Sequence, residues 1–119
     1  MTNYVSSQSS YCCDGNTNNN AKALASTTGW NSSTTTCSVG DTPSNNNATG
    51  FGAMPAGYGT NNPYYYDLGT STQFLTATQY SNNDVYVYYI SCNYANVGRY
   101  NGGNSGNKSK GSSIRCVRD

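Results

Sequence analysis

The stretch DVYVYYISCNYANVGRY, residues 84–100, carries tyrosines at both odd and even positions. Side chains along a strand alternate between its two faces, so Val87 and Tyr89 share one face. Tyr86 and Tyr88 share the other face. Either face can form the core, but the tyrosines cannot all be buried. The sequence therefore predicts a strand with an exposed row of tyrosine and asparagine, and this row needs an explanation.

Several neighbouring segments also have the composition of strands bounded by turn residues. The predicted strands are 74–80, 84–92, 94–100 and 112–118. Residues 50–59 indicate a further short strand entering a Pro-Gly turn, and residues 61–69, with three consecutive tyrosines, indicate a loop. These patterns predict an antiparallel, β-rich sheet built mostly from the C-terminal half.

The N-terminal half is typical of short helices and long loops. Residues 18–26 predict a short helix capped by Asn19 or Asn20, with Leu24 turned towards the core. Trp30 is the single tryptophan, and we expect it to fill the core rather than to form a binding platform. The sequence thus predicts the α+β class, with one or two short helices and long loops.

Composition sets limits on size and partners. The chain has 119 residues, enough for a single domain. Val, Leu, Ile and Phe make up only about a tenth of them, so the core is expected to be thin. A net charge of +1 gives no electrostatic attraction to nucleic acid or to an anionic membrane. We therefore expect no nucleic-acid binding. Because no apolar run approaches the length of a membrane span, we also expect no direct membrane insertion.

The residue inventory argues against catalysis. The chain has no His and no Glu, so Ser-His-Asp and Cys-His nucleophiles, histidine zinc sites and glutamate acids are all excluded. Asn61, Asn62 and Asp67 come nearest to a cluster of oxygen ligands for calcium, but a plain loop is the favoured interpretation. We predict a protein that is not an enzyme and that needs no metal and no cofactor.

Cysteine usage points to an oxidising compartment. Five cysteines in a short polar chain favour an extracellular or cell-surface location, and their spacing contains no pair of CxxC motifs for zinc. The N-terminus lacks the features of a signal peptide. The two observations agree if the chain is a piece of a longer secreted precursor, or if its true start lies upstream. The first is our expectation.

Four stretches resemble the Fibrobacter succinogenes major paralogous domain. They are ALASTTGW (23–30), NNATGFGAMPAGY (46–58), FLTATQYS (74–81) and IRCVRD (114–119). That family occurs in secreted and surface proteins of bacteria and is similar in fold to the C-type lectin-like domain. The resemblance covers essentially the whole chain, but the family's additional N-terminal portion is absent. It implies one partial C-type lectin-like domain over residues 1–119.

The resemblance also carries expectations about single positions. It implies a disulfide between Cys13 and Cys37, with Cys12 as the fallback partner. The family has a Trp where this chain has Leu75 and a Phe where it has Ser112. If those are core positions, each loss costs roughly 3–5 kcal/mol unless the neighbours collapse inward.

A function for the exposed row follows from composition and resemblance together. Surfaces rich in Tyr, Asn, Ser and Gly are typical of recognition loops, although tyrosines can also pair across strands to stabilise a sheet. The resemblance favours recognition, because relatives diversified by retroelements vary over a set of residue types near their C-terminal end, and residues 82–107 here have the composition of one sample from that set. The predicted contact residues, with Tyr64, Tyr65 and Tyr66 at the rim, are Tyr86, Tyr88, Tyr89, Cys92, Asn93, Tyr94, Asn96, Arg99, Tyr100 and Asn101.

We therefore expect a non-enzymatic ligand-binding or adhesion domain that binds a protein or glycan on another cell or in the medium. Diversification by a retroelement belongs to this expectation. The domain would act as part of a longer chain or assembly. Two alternatives stay open. One is a surface or filament subunit whose strands pair between chains, and the other is a decayed fragment without activity.

Overall fold

The computed structural model describes residues 2–60, 64–101 and 107–114. Two short α-helices and three single-turn 3-10 helices precede the sheet. The α-helices are α1 (Thr2–Ser7) and α2 (Ala21–Leu24), and the 3-10 helices are Ser9–Tyr11, Cys13–Gly15 and Pro43–Asn45. The strands are β1 (Ala56–Gly59), β2 (Tyr65–Leu68), β3 (Ser71–Gln79), β4 (Val85–Ser91) and β5 (Gly98–Asn101). The predicted α+β class is confirmed.

The five strands form one sheet in the order β2-β1-β3-β4-β5. Three pairings are antiparallel, but β1 and β3 run parallel, with Gly57 opposite Thr72. The expectation of a wholly antiparallel sheet is therefore wrong, and the sheet is mixed. The predicted loop at 61–69 is also wrong in part, because Tyr65–Leu68 forms β2 and pairs with β1.

The segment after β5 lies beside the sheet. Gly59 donates its N–H to the carbonyl of Gly111 at 2.9 Å, and Ser113 donates its N–H to the carbonyl of Gln73 at 3.2 Å. Residues 111–114 thus contact both β1 and β3 without forming a regular strand. The remainder of the strand predicted at 112–118 lies outside the described residues. The strand predicted at 94–100 is shorter and later, since β5 begins only at Gly98.

Helix α2 begins after Asn20, but Asn20 does not cap it through its side chain. Its amide instead donates to the hydroxyl of Ser6 at 2.7 Å, and its Oδ1 accepts the N–H of Val97 at 3.1 Å. Asn20 therefore links the end of α1 to the connection between β4 and β5. The predicted inward position of Leu24 is confirmed by its burial.

The main core lies between α2, the loops and β4. The largest of its buried members is Trp30, which is only 8% exposed and donates its indole N–H to Ser26 Oγ at 3.1 Å. Ile90 and Cys92 enter this core from β4 and the residue after it. The expectation that Trp30 fills the core is confirmed. Because most core members are alanine and valine, the interior is thin.

The disulfide between Cys13 and Cys37 is present, with a Cα–Cα distance of 5.7 Å. Cys12 and Cys92 are free and buried. Cys116 lies outside the described residues. In the part of the chain that the structure describes, no helix is long and apolar enough to cross a lipid bilayer.

A cavity of about 630 Å³ lies beside the core. Apolar side chains form most of its wall, including Phe51, Phe74 and Ile90. Leu75 and Ser112, the two positions where the family pattern has aromatic residues, both line this cavity. The smaller side chains at these positions therefore border unfilled space.

Candidate functional site

Strand β4 divides its side chains between two faces that are both partly covered. Ile90 is buried in the main core on one face, while Val87 is fully buried on the other. Residues directly opposite each other in a sheet share a face. We call the face of Tyr86, Tyr88 and Ile90 the core face, and the face of Val87 and Tyr89 the cleft face.

The cleft face holds a cleft of about 200 Å³, which we call the tyrosine cleft. All five strands or their connections contribute to it. Its lining residues are Tyr58, Asp67, Thr70, Ser71, Gln73, Tyr89, Ser91, Tyr94 and Tyr100. The pairing register explains this meeting, because Gln73 lies opposite Tyr89 and Ser71 lies opposite Ser91.

Two stacked rings form one wall of the cleft. The rings of Tyr89 and Tyr100 lie 4.4 Å apart between centroids and are inclined by only 11°. Gly98, opposite Tyr89 in β5, makes this position possible. A Cβ at Gly98 would lie 2.0 Å from the ring of Tyr89, far closer than any real contact. Glycine is therefore required for Tyr89 to lie across β5 in this position.

The cleft changes the chemistry of Tyr100. Although 43% of this residue is exposed, burial of its hydroxyl and then the hydrogen bond with Tyr89 raise the pKa of Tyr100 to about 12. The nearby hydroxyls of Tyr94 and Tyr58 act in the same direction on this pKa. Tyr100 is consequently a neutral phenol, able to donate a hydrogen bond, at any physiological pH.

Asp67 supplies the one charged side chain among the residues that line the tyrosine cleft. It is exposed, and its backbone is left-handed, with φ of 61°. Its Oδ2 accepts a hydrogen bond from Ser71 Oγ at 3.4 Å, and its carbonyl accepts the N–H of Thr70 at 2.9 Å. Its negative charge also acts on Cys92. Burial is the main cause that raises the pKa of the Cys92 thiol, and the charge of Asp67 raises this pKa further.

The core face carries a separate aromatic group at its outer end. The guanidinium of Arg99 lies 4.1 Å from the centroid of the Tyr86 ring, and Tyr80 meets the same ring edge-on at 5.5 Å. Tyr88 lines the apolar cavity instead. Asn101 lies opposite Tyr86 in the register.

The structure therefore does not bring the predicted contact residues together on one surface. Tyr89, Tyr94 and Tyr100 meet in the tyrosine cleft. Asn93 and Asn96 are exposed in the connection after β4. The residues on the core face are Tyr86, Tyr88, Arg99 and Asn101. They lie on the opposite side of the sheet from the cleft.

Cys92 requires a correction. It was predicted as a contact residue, but it is 3% exposed and belongs to the main core. A ligand at the surface cannot reach it. Its position two residues beyond Ile90, on the same parity, explains the burial.

Sequence reasoning missed the contributions of β1, β2 and β3. Gln73 joins the cleft because β3 pairs with β4. Tyr58 and Asp67 join it because β1 pairs in parallel with β3, a long-range arrangement that leaves no local signal. Of the predicted rim tyrosines, Tyr66 stacks on Tyr58 at 5.8 Å. Tyr65 is 80% exposed on the edge strand.

Metal binding finds little support in the described part of the chain. There, the one group of three cysteine or carboxylate ligands within reach of each other is Cys13, Asp14 and Cys37. Both sulfurs of this group are joined in the disulfide, so they are not free to act as thiolate ligands. Asn61 and Asn62, the other members of the weak calcium cluster around Asp67, lie outside the described residues.

Comparison with known proteins adds no assignment. A scan of protein-family models finds no match to the chain, and searches of curated proteins and of solved structures find none either.

Proposed function

We propose that the chain is a non-enzymatic recognition domain that binds its partner through the tyrosine cleft. The observation that carries the proposal is the meeting of Tyr58, Tyr89, Tyr94 and Tyr100 around one carboxylate in a cleft built by the whole sheet. Tyrosine offers a large contact area at a low cost in side-chain entropy, which is why binding surfaces use it.

The cleft is also organised before any partner arrives. The Tyr89 and Tyr100 rings are stacked on each other, and Tyr58 is stacked on Tyr66. Rings already held in one arrangement lose little freedom on binding, which favours affinity. Exposure of Tyr94, at 53%, leaves one ring free to contact a partner outside the cleft.

The wider proposal is a C-type lectin-like domain that acts outside the cell or at its surface, on a protein or glycan partner. The resemblance to the Fibrobacter succinogenes major paralogous domain, the five cysteines and the disulfide support it. Diversification by a retroelement belongs to the same proposal, and it concerns residues 82–107.

The test compares two double variants on glycan and protein arrays. Tyr94→Ala/Tyr100→Ala removes two rings from the cleft, while Tyr4→Ala/Tyr80→Ala removes two exposed rings that do not line it. We expect the first variant to lose the array signal of the wild-type chain and the second to keep it. Equal array signals from all three proteins would refute the proposal. Loss of the signal in Tyr4→Ala/Tyr80→Ala alone would also refute it.

A second candidate is a structural subunit, and β2 favours it. This strand lies at the edge of the sheet, and Tyr65 and Leu68 are 80% and 78% exposed. Exposed apolar edge strands pair readily with strands of other chains. Concentration-dependent fibres seen by electron microscopy, and abolished by Tyr65→Lys, would support this candidate over recognition.

A further inference from the structure

Three polar side chains that line the tyrosine cleft are already hydrogen-bonded within the protein. Gln73 donates through Nε2 to Ser112 at 3.0 Å, and Ser71 donates to Asp67 at 3.4 Å. Thr70 Oγ1 accepts from Asn31 at 3.1 Å. A ligand read by many directional hydrogen bonds, such as a sugar, would have to compete with these contacts. The tyrosine rings with their hydroxyls and the charge of Asp67 remain to be offered to a ligand.

Rings on this sheet already accept cations from the chain itself. Lys110 Nζ lies 5.8 Å from the centroid of Tyr58, a cleft ring, and Arg99 lies 4.1 Å from the centroid of Tyr86 on the core face. The negative face of an aromatic ring attracts a cation, and a nearby carboxylate adds to the attraction. Among the described residues that line the cleft, Asp67 is the single charged one.

We infer that the tyrosine cleft binds a small organic cation of the quaternary ammonium class, an inference that rests on the proposed function. Such a group is attracted by ring faces and by a counter-charge, and the lining of the tyrosine cleft supplies both. The cleft volume of about 200 Å³ suits a compact group rather than an extended chain. The cation can be part of a larger partner whose remainder contacts Tyr94.

The backbone at Asp67 supports this assignment. Asp67 has left-handed φ, and opposite it Gly57 brings β1 so close that a Cβ would lie 2.0 Å from the carbonyl of Tyr66. Left-handed aspartate is costly, and such positions persist where the surroundings fix them. The backbone of Asp67 is thereby fixed beside β1, and its carboxylate accepts a hydrogen bond from Ser71 Oγ at 3.4 Å.

The test uses choline and its neutral isostere 3,3-dimethylbutan-1-ol, which has a carbon in place of the nitrogen. Both are titrated into the full chain at constant low salt, with binding followed by the tyrosine ring resonances in NMR spectra. We expect choline to bind about tenfold more tightly than the isostere, because only choline carries the charge. Equal affinities, or a panel of monosaccharides that displaces choline at lower concentration, would overturn the inference.

Two charge variants sharpen the result. Asp67→Asn keeps a residue that tolerates left-handed backbone, and we expect it to weaken choline binding about fivefold or more while the isostere is unaffected. Lys110→Gln removes the competing cation beside Tyr58, and we expect it to strengthen choline binding about twofold. An unchanged choline affinity in Asp67→Asn, with the fold intact by NMR, would contradict the assignment.

The design separates this inference from the proposed function. If the wild-type chain captures an array partner and Tyr94→Ala/Tyr100→Ala does not, while choline fails to bind, recognition through the cleft stands and the cation assignment falls. If the double variant captures the partner as well as wild type does, the proposed function itself falls.

Discussion

Replacing Gly98 by alanine tests whether the tyrosine cleft depends on the close approach of Tyr89 to β5. The added Cβ would lie 2.0 Å from one ring carbon of Tyr89 and 2.5 Å from its hydroxyl oxygen. These atoms form the far end of a side chain that can rotate, so we expect the ring to swing away rather than the backbone to move. The stack with Tyr100 would then be lost.

The size of the effect follows from two opposing terms. Loss of an aromatic pair such as Tyr89 and Tyr100 costs about 0.5–1.5 kcal/mol. Alanine also restricts the unfolded chain, which raises the free energy of unfolding by about 0.4–1 kcal/mol, because Gly98 does not adopt a left-handed backbone conformation. We therefore expect a net loss in the free energy of unfolding of at most about 1 kcal/mol, together with a disrupted site.

The pKa of Tyr100 gives a second reading of the same change. Its folded value of about 12 lies above the ordinary value of 10, so the folded chain holds this proton more tightly. Tyr100 thus contributes stability that is fully present below pH 10 and is lost as the pH rises towards 12. Displacing the Tyr89 ring removes one cause of the shift, and we expect the pKa to fall towards its ordinary value.

The assay combines urea unfolding with an alkaline absorbance titration of tyrosinate. Tyr100→Phe identifies which transition belongs to Tyr100. Gly111→Ala serves as the matched control, because a Cβ there meets its nearest neighbour at an ordinary 3.7 Å. A loss above about 3 kcal/mol in Gly98→Ala would show that the Tyr89 ring cannot move. An unchanged Tyr100 pKa would show that it did not move, and either result refutes the reasoning.

Three further changes test the fold. Leu75→Trp extends an apolar ring into the cavity and is expected to raise the free energy of unfolding by about 1–2 kcal/mol at roughly 25 cal/mol per Å² of newly buried surface; a lower urea midpoint would contradict this. Removing the disulfide with Cys13→Ser/Cys37→Ser is expected to cost about 3 kcal/mol, and an unchanged thermal midpoint would count against a structural role. Trp30→Phe removes the hydrogen bond to Ser26 and part of the core packing, and we expect it to lower the free energy of unfolding by about 1–3 kcal/mol, measured by circular dichroism. An unchanged free energy of unfolding would show that Trp30 is not a packing residue.

Local patterns were enough to predict the class of the fold and its central strands. The period-two pattern of residues 84–92 became β4, and Trp30 and Leu24 were buried as their surroundings suggested. The loop prediction at 61–69 failed because Tyr65–Leu68 is exposed on both faces and owes its strand to pairing with β1. Strands stabilised by backbone pairing alone leave no hydrophobic period to detect.

The site was predicted in part, for a related reason. Sequence reasoning identified Tyr89, Tyr94 and Tyr100 because they are close in the chain. It could not assign Tyr86 to the opposite face, since the valines and Ile90 of β4 are buried on different sides. It also missed Asp67, because only the parallel pairing of β1 with β3 brings β2 near β4 and β5.

The most direct test of recognition through the cleft is an NMR map of the tyrosine rings, of which the chain has 12, before and after addition of the array partner. We predict that Tyr89, Tyr94 and Tyr100 shift on binding while Tyr4 and Tyr80 do not. Shifts confined to Tyr80 and its neighbours on the core face, with the cleft rings unmoved, would contradict the central claim.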